Sequence, residues 1–287
     1  PDRVEVEADP RHVDIILRDL KLDGPSAKSV VTPGIKAKDG NAGKPISRDE
    51  QTPFRSTCMR ANFLAEDRPD IRFSGKETAR FMSEPTDLAV TMLKRIGRFL
   101  VGHRRLVQHF VRQPYTHKLD GLGDSDHAGC LRTRRSTSCA VMKYGAHTLK
   151  FSSTTQVPIA ISSGESEWYG TVKTTSILLG GIAMAKDLGR VLQPRLHTDS
   201  TASKGIASRR GCGKIRHLET TSLWVQKYVT DKVLELVKKQ SEHNDADLGT
   251  KHVDRNTMLK HLKSLGYHFT GGRSAMAKKV ITDDKET

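Results

Sequence analysis

Apolar residues recur at helical spacing through roughly the first 110 positions, then give way to alternation and short apolar runs. In residues 10–22, Val13, Ile16, Leu17 and Leu20 share one helical face, and Gly24-Pro25 stops the pattern. Residues 36–50 carry turn chemistry and little to bury, and read as a linker. Residues 54–110 read as helical. Phe54, Cys58, Ala61 and Leu64 form one stripe, and Pro69 suits a helix start. A second helix runs to about Ser83. A third follows Pro85-Thr86, with Met92, Leu93, Ile96, Phe99 and Leu100 at helical spacing. From 118 onward the pattern predicts a strand over 119–125 and a hairpin of strands 139–144 and 147–152 around Gly145-Ala146. A long helix over 162–188 follows, then a strand over 195–199 and helices over 200–209 and 217–230. A strand over 233–239 and a helix over 255–265 complete the series. The polar tail after Gly271 reads as disordered. Three antiparallel strands followed by alternating helices and strands predict an α/β (α+β) fold, a mixed sheet with helices packed on it.

Charge changes this picture more than composition does. The 287 residues hold 48 Lys and Arg against 33 Asp and Glu, a formal net charge of +15. A surplus of that size points to a polyanionic partner, since phosphate contacts dominate nucleic-acid affinity. Cys58, Cys130, Cys139 and Cys212 form no Cys-x-x-Cys pair and no zinc spacing, so they read as reduced thiols of an intracellular protein. The longest nearly apolar run, 177–185, is too short to span a bilayer, which excludes a membrane-spanning role for it. The chain opens on Pro1 without an initiator Met, as expected of part of something longer.

Candidate chemistry lies in four acids. Asp124 is near the end of a strand, Glu167 in the first turns of a helix, Asp199 at a strand-to-helix junction and Asp247 at the start of the last helical region. Singly, each has an ordinary explanation. Asp124 and Asp126 are two apart and either suits a turn or a ligand. Asp199 and Asp247 suit helix starts. In the capping box opened by Ser162, Glu165 is expected to accept the Ser162 backbone N–H, which leaves Glu167 the freer ligand and Trp168 to pack inward. Together the four acids suggest a pocket that brings divalent metal to a phosphodiester. Gly164–Trp168 lacks the last glycine of a nucleophile elbow, and Gly211-Cys212-Gly213-Lys214 is followed by Ile215 where a phosphate-binding loop needs Ser or Thr. His243 reads as a surface histidine.

Four motifs resemble the ribonuclease H domain of copia-type retrotransposon polyproteins, in family order. They are Gly123-Asp124-Ser125-Asp126-His127-Ala128-Gly129-Cys130 with the following Thr133–Ser138, then Ile161–Tyr169, His197–Ala202 and Asn244–Lys251. Upstream, Phe54-Arg55-Ser56, Arg68-Pro69-Asp70-Ile71, Pro85-Thr86 and the run from Leu93 to Leu100 resemble the segment joining reverse transcriptase to ribonuclease H. The polymerase acids have no counterpart, so the resemblance implies no DNA synthesis by this chain. Three positions depart from the family. His127 stands for a usual Trp, Cys139 for a usual Gly, and Gly249 where a larger residue is common.

The resemblance implies a ribonuclease H-like fold with an N-terminal helical connection region. Its divisions would be 1–53 (N-terminal segment and linker), 54–115 (connection), 116–268 (ribonuclease H-like domain) and 269–287 (tail). It implies a catalytic and metal-binding set of Asp124, Glu167, Asp199 and Asp247 holding two Mg²⁺ or Mn²⁺ ions, and hydrolysis of the RNA strand of RNA–DNA hybrids. Arg132, Arg134, Arg135, Arg209, Arg210, Lys214 and His217 are the candidates to approach the nucleic acid. The upstream polymerase region of the same polyprotein is the implied partner, and a cytoplasmic particle or the nucleus the implied location. The rival reading is a nucleic-acid-binding remnant of the same fold that has lost catalysis.

Overall fold

The computed structural model describes residues 2–35, 42–213, 215, 217–274 and 277. They form two compact units. One takes in residues 109–266, the other residues 5–35, 42–108 and 267–274.

The second unit takes in the end of strand β1 (Arg3–Glu7), from Glu5 on, and helix α1 (Pro10–Asp19), which buries Val13, Ile16 and Leu17 as its periodicity requires. Helix α2 (Arg48–Leu64) starts six residues before the expected stripe, inside the segment read as a linker. The reason is local: the Glu50 carboxylate accepts the Ser47 backbone N–H at 3.2 Å, one arm of a capping box. Positions 36–41 of that expected linker lie outside the described residues. Helices α3 (Pro69–Ala79) and α4 (Asp87–Gly102) follow. Arg68 joins them. It forms a buried pair with Asp70 at 2.6 Å and donates to the carbonyls of His103 and Arg104, so its guanidinium caps the end of α4.

Helical structure was expected as far as residue 110, and here the structure differs. Arg105–Val111 is strand β2, in a three-stranded sheet of order β1-β2-β8 with β8 at Tyr267–Thr270. The apolar stripe of α4 ends at Leu100. Beyond it the β-branched and aromatic Arg-Leu-Val-Gln-His-Phe-Val run fits a pleated surface. Neither β1 nor β8 was legible as a strand, being short and flanked by polar sequence. Of the expected tail, positions 275, 276 and 278–287 lie outside the described residues.

The first unit is a five-stranded mixed sheet in the order β5-β4-β3-β6-β7. Its strands are β3 (Lys118–Ser125), β4 (Thr137–Tyr144), β5 (His147–Thr155), β6 (Gln193–Thr198) and β7 (Glu235–Lys238). The first three pair antiparallel, and β6 and β7 join parallel. Gly145 takes φ +58° in the two-residue turn between β4 and β5. Helix α5 (Ser163–Asp187) crosses from β5 to β6 and packs on the sheet, with Trp168 fully buried in the core. Then come α6 (Thr201–Ala207), α7 (Trp224–Thr230) and α8 (Arg255–Ser264). The helix expected from His217 is regular only from Trp224, after a short 3₁₀ turn at Thr220–Ser222. Asp247 lies in a separate 3₁₀ turn, Asp245–Gly249, rather than in α8.

Cys139 and Gly249 meet in this unit. A Cβ on Gly249 would lie 2.9 Å from the Cys139 Cβ and 3.1 Å from the Phe151 ring. Cys139 on β4 therefore fills the volume that a side chain at 249 would occupy, and the two residues compensate in volume. Gly249→Ala should cost about 1–3 kcal/mol by overpacking. In a Cys139→Gly background the same change should cost clearly less, a coupling read from urea unfolding of the four proteins. Simple additivity of the two costs would refute the compensation.

Candidate active site

Strand alternation builds the site. On β3, Gly121 and Gly123 face α5, so Asp120, Leu122 and Asp124 face the other way. On β6, Arg195, His197 and then Asp199 share that second face. The parallel register pairs Asp120 with Arg195 and Leu122 with His197, so Asp124 and Asp199 come next, side by side at the strand ends. The first pair of that ladder is neutralised, with the Arg195 guanidinium at 2.5 Å and His197 at 2.8 Å from Asp120. Burial opposes the charge on Asp120, but these partners prevail and hold its carboxyl well below the usual range.

At the strand ends the charges are unlike that pair. Carboxylate oxygens of Asp124, Glu167 and Asp199 all lie within 4.8 Å of one another. Glu167 comes from the first turns of α5 and takes the backbone N–H of Ser125. Asp124 is 7% exposed, and its Oδ2 accepts the Thr250 hydroxyl at 2.5 Å. Burial first, and then the charge of Asp247, pushes Asp124 up to about 7. Burial, Asp124 and Asp199 push Glu167 up to about 8. Both shifts record the same fact: ionised carboxylates are costly here without a cation.

Asp247 stands outside the set of three. Its Oδ2 pairs with Lys251 at 2.7 Å, while its charge still raises Asp124. Burial works against the Lys251 ammonium, but Asp247, Asp124 and Asp199 together hold it charged to higher pH. Asp126 is withdrawn from the pocket, since its Oδ1 accepts the backbone N–H of Thr137. Three oxygen donors of one sign, partly buried and drawn together, match the donor chemistry of a hard divalent cation.

The basic candidates are dispersed. Arg132, Arg134 and Arg135 are exposed in the loop that joins the Asp124 end of β3 to β4, with Arg134 at φ +56°. Arg209 turns inward and donates to the Cys212 carbonyl of its own loop, while Arg210 is exposed. Lys214 lies outside the described residues. His217 approaches α5, with Nε2 at 3.1 Å from Glu165 Oε2. His243 is exposed, and His127 Nε2 is 3.3 Å from the Ala160 carbonyl.

Several residues of the site gave little sequence signal. Glu165 is 3% exposed and accepts the N–H of Ile161 (2.9 Å) and the Tyr169 hydroxyl, in place of the Ser162 N–H expected from a capping box. The spacing announced the cap but not its register. Asn244 donates to the Gly123 carbonyl at 3.0 Å and ties the Asp247 turn to β3.

Comparison with known proteins agrees with this architecture. The retrovirus-related Pol polyprotein from transposon RE1 of Arabidopsis thaliana is 24% identical over 246 residues, 84% of this chain and 17% of that protein. The corresponding polyprotein from transposon TNT 1-94 of Nicotiana tabacum is 24% identical over 203 residues, 70% of this chain and 15% of its own length. The chain is thus similar to retrovirus-related Pol polyproteins of plant transposons. It spans about a sixth of the length of these relatives. No family model matches. A solved structure, the LC11-RNase H1 isolated from compost, aligns at 16% identity and a TM-score of 0.34, covering 51% of this chain and 99% of that one. The fold assignment rests on the strand order and the polyprotein relatives. No described helix is long and apolar enough to cross a membrane.

The acid cluster makes a prediction about stability. A carboxyl whose folded pKa is raised stabilises the fold fully below its unfolded pKa, near 4, and loses that contribution as pH rises through the folded pKa of about 7–8. In EDTA, Tm should therefore fall between pH 5 and pH 8, and Mg²⁺ should remove most of the fall. Glu167→Gln at pH 8 in EDTA should be more stable than the wild type by about 2 kcal/mol, roughly 5 °C. Differential scanning calorimetry reads this directly, and a destabilised Glu167→Gln would contradict the electrostatic account.

Proposed function

We propose that this chain carries the ribonuclease H domain of a retrotransposon polyprotein, a metal-dependent endonuclease that hydrolyses the RNA strand of RNA–DNA hybrids. The single observation supporting it most is the convergence of Asp124, Glu167 and Asp199 from three separate elements to within 4.8 Å. Asp124, Glu167, Asp199 and Asp247 would hold two Mg²⁺ or Mn²⁺ ions, which supply Lewis-acid activation of the water and of the leaving 3′-oxygen. The protein's own part is positional. Thr250 orients the Asp124 carboxylate, the Ser125 N–H orients Glu167, and Lys251 tempers the charge of Asp247. His217 and the exposed Arg132, Arg134, Arg135 and Arg210 would meet phosphates, with the hybrid distinguished by its 2′-hydroxyls and duplex shape.

On this reading residues 116–268 form the nuclease domain, 54–115 the connection to an upstream polymerase region, 1–53 the lead-in and 269–287 a tail. The intact polyprotein would act in a cytoplasmic particle or the nucleus.

A labelled RNA–DNA hybrid tests the proposal. With Mg²⁺ the chain should cut the RNA strand and leave the DNA strand whole, and EDTA should stop it. Asp124→Asn and Asp199→Asn should each lower the rate by on the order of 10²–10³-fold while hybrid binding in low salt persists. Salt-dependent binding without any metal-dependent cutting would instead select the non-catalytic remnant.

A further inference from the structure

Gln156, just after β5, is 7% exposed and lies where no sequence motif drew attention. Its Nε2 is 2.8 Å from each of three oxygens: Ser125 Oγ on β3, Ser138 Oγ on β4 and the Ser166 carbonyl in the first turn of α5. A carbonyl only accepts, so the amide nitrogen must face Ser166. One of its two hydrogens goes there and the hydroxyls share the other. Its backbone N–H donates to the Ser136 carbonyl at 2.8 Å, which anchors the residue to the start of β4. Its Oε1 is buried without a hydrogen-bond partner, a cost accepted to keep the nitrogen in this place.

The three oxygens are not arbitrary. Ser125 follows Asp124 in sequence, and Ser166 precedes Glu167. One side-chain amide therefore bridges the backbone segments that carry two of the three converging acids. Those segments are also the ones that like charge pushes apart. Their packing is already close, since a Cβ on Gly170 would lie 3.3 Å from the Ser125 Cβ and 3.4 Å from the Asp124 carbonyl. Packing sets how near α5 may come to β3, and the Gln156 amide adds a directional tie between the helix start and the strand end.

We propose that Gln156 is a positioning residue of the metal site, whose amide holds the end of β3 and the first turn of α5 at the spacing that lets Asp124 and Glu167 share a divalent cation. The inference rests on the metal-site reading above. It concerns ion affinity, so it can be measured apart from cleavage.

The test compares the wild-type chain with Gln156→Leu, Ser125→Ala and Ser138→Ala. Two curves are recorded for each: Tm against Mg²⁺ concentration, and the rate of hybrid cleavage against Mg²⁺ concentration. Hybrid affinity in EDTA and far-UV circular dichroism serve as checks on folding. Gln156→Leu should keep its fold and its hybrid affinity but need about tenfold more Mg²⁺ in both curves, as expected when a partner that orients metal ligands is lost. Ser125→Ala, which cuts the β3 arm, should need several-fold more. Ser138→Ala, which spares the bridge between the acid-bearing segments, should stay within twofold of the wild type.

A folded Gln156→Leu with wild-type Mg²⁺ dependence overturns the proposal, as does a Ser138→Ala shifted as far as Gln156→Leu. If Gln156→Leu does not fold, Ser125→Ala decides: a several-fold shift supports the bridge and none refutes it. A wild type whose Tm rises with Mg²⁺ but which leaves the hybrid intact ends the cleavage reading alone, and the Tm curves still decide the role of Gln156. A wild type with no Mg²⁺ response in Tm ends both.

Discussion

Repulsion among three carboxylates is the constraint around which the sheet domain is organised. Asp124, Glu167 and Asp199 lie within 4.8 Å of one another at a partly buried strand end. Left alone, Asp124 and Glu167 would protonate, as their raised pKa values record, or the three would move apart. The surroundings resist the second escape. Asn244 and Thr250 fasten the turn carrying Asp247 to β3, and Gln156 fastens α5 to the same strand. Polar side chains are buried here at some cost because they fix the distance between groups that repel each other. Sites that accept such a cost are commonly functional.

The adjoining ladder shows the alternative the same sheet could have adopted. Two steps back on the same face of the strands, Asp120 is met by Arg195 and His197 and its charge is settled internally. Asp120 and Asp124 lie on one face of β3 and share one register with β6. Only the second lacks such a settlement, which leaves a role for a cation from outside. The contrast between neighbouring pairs argues for metal binding more strongly than the mere presence of acids, since solvated or paired acids are ordinary.

Strong periodicity was legible in the sequence. Helices α1, α4 and α5 and the hairpin of β4 and β5 follow from patterns that tertiary context had no reason to override. The short strands β1, β2 and β8 were not legible, because each acquires its strand character by pairing with segments distant in sequence, as Leu106 does with Phe269. At the site, Asp124, Glu167 and Asp199 could be named through motif resemblance, but their meeting could not be derived from spacing. It depends on a parallel register between β3 and β6 that no local signal encodes. Gln156 was opaque for a related reason, since a polar residue in a loop carries no burial signal until the fold buries it. Glu165 was read as a helix cap, but its partners proved to be Ile161 and Tyr169.

The contact between Cys139 and Gly249 bears on the geometry of the acid cluster. The Cys139 side chain on β4 occupies the space beside the small residue in the turn before Thr250, and that turn carries Asp247. A larger residue at 249 facing Cys139 would displace the turn, and with it the hydroxyl that orients Asp124. A small residue at 249 beside Cys139 therefore preserves the geometry on which the acid cluster depends.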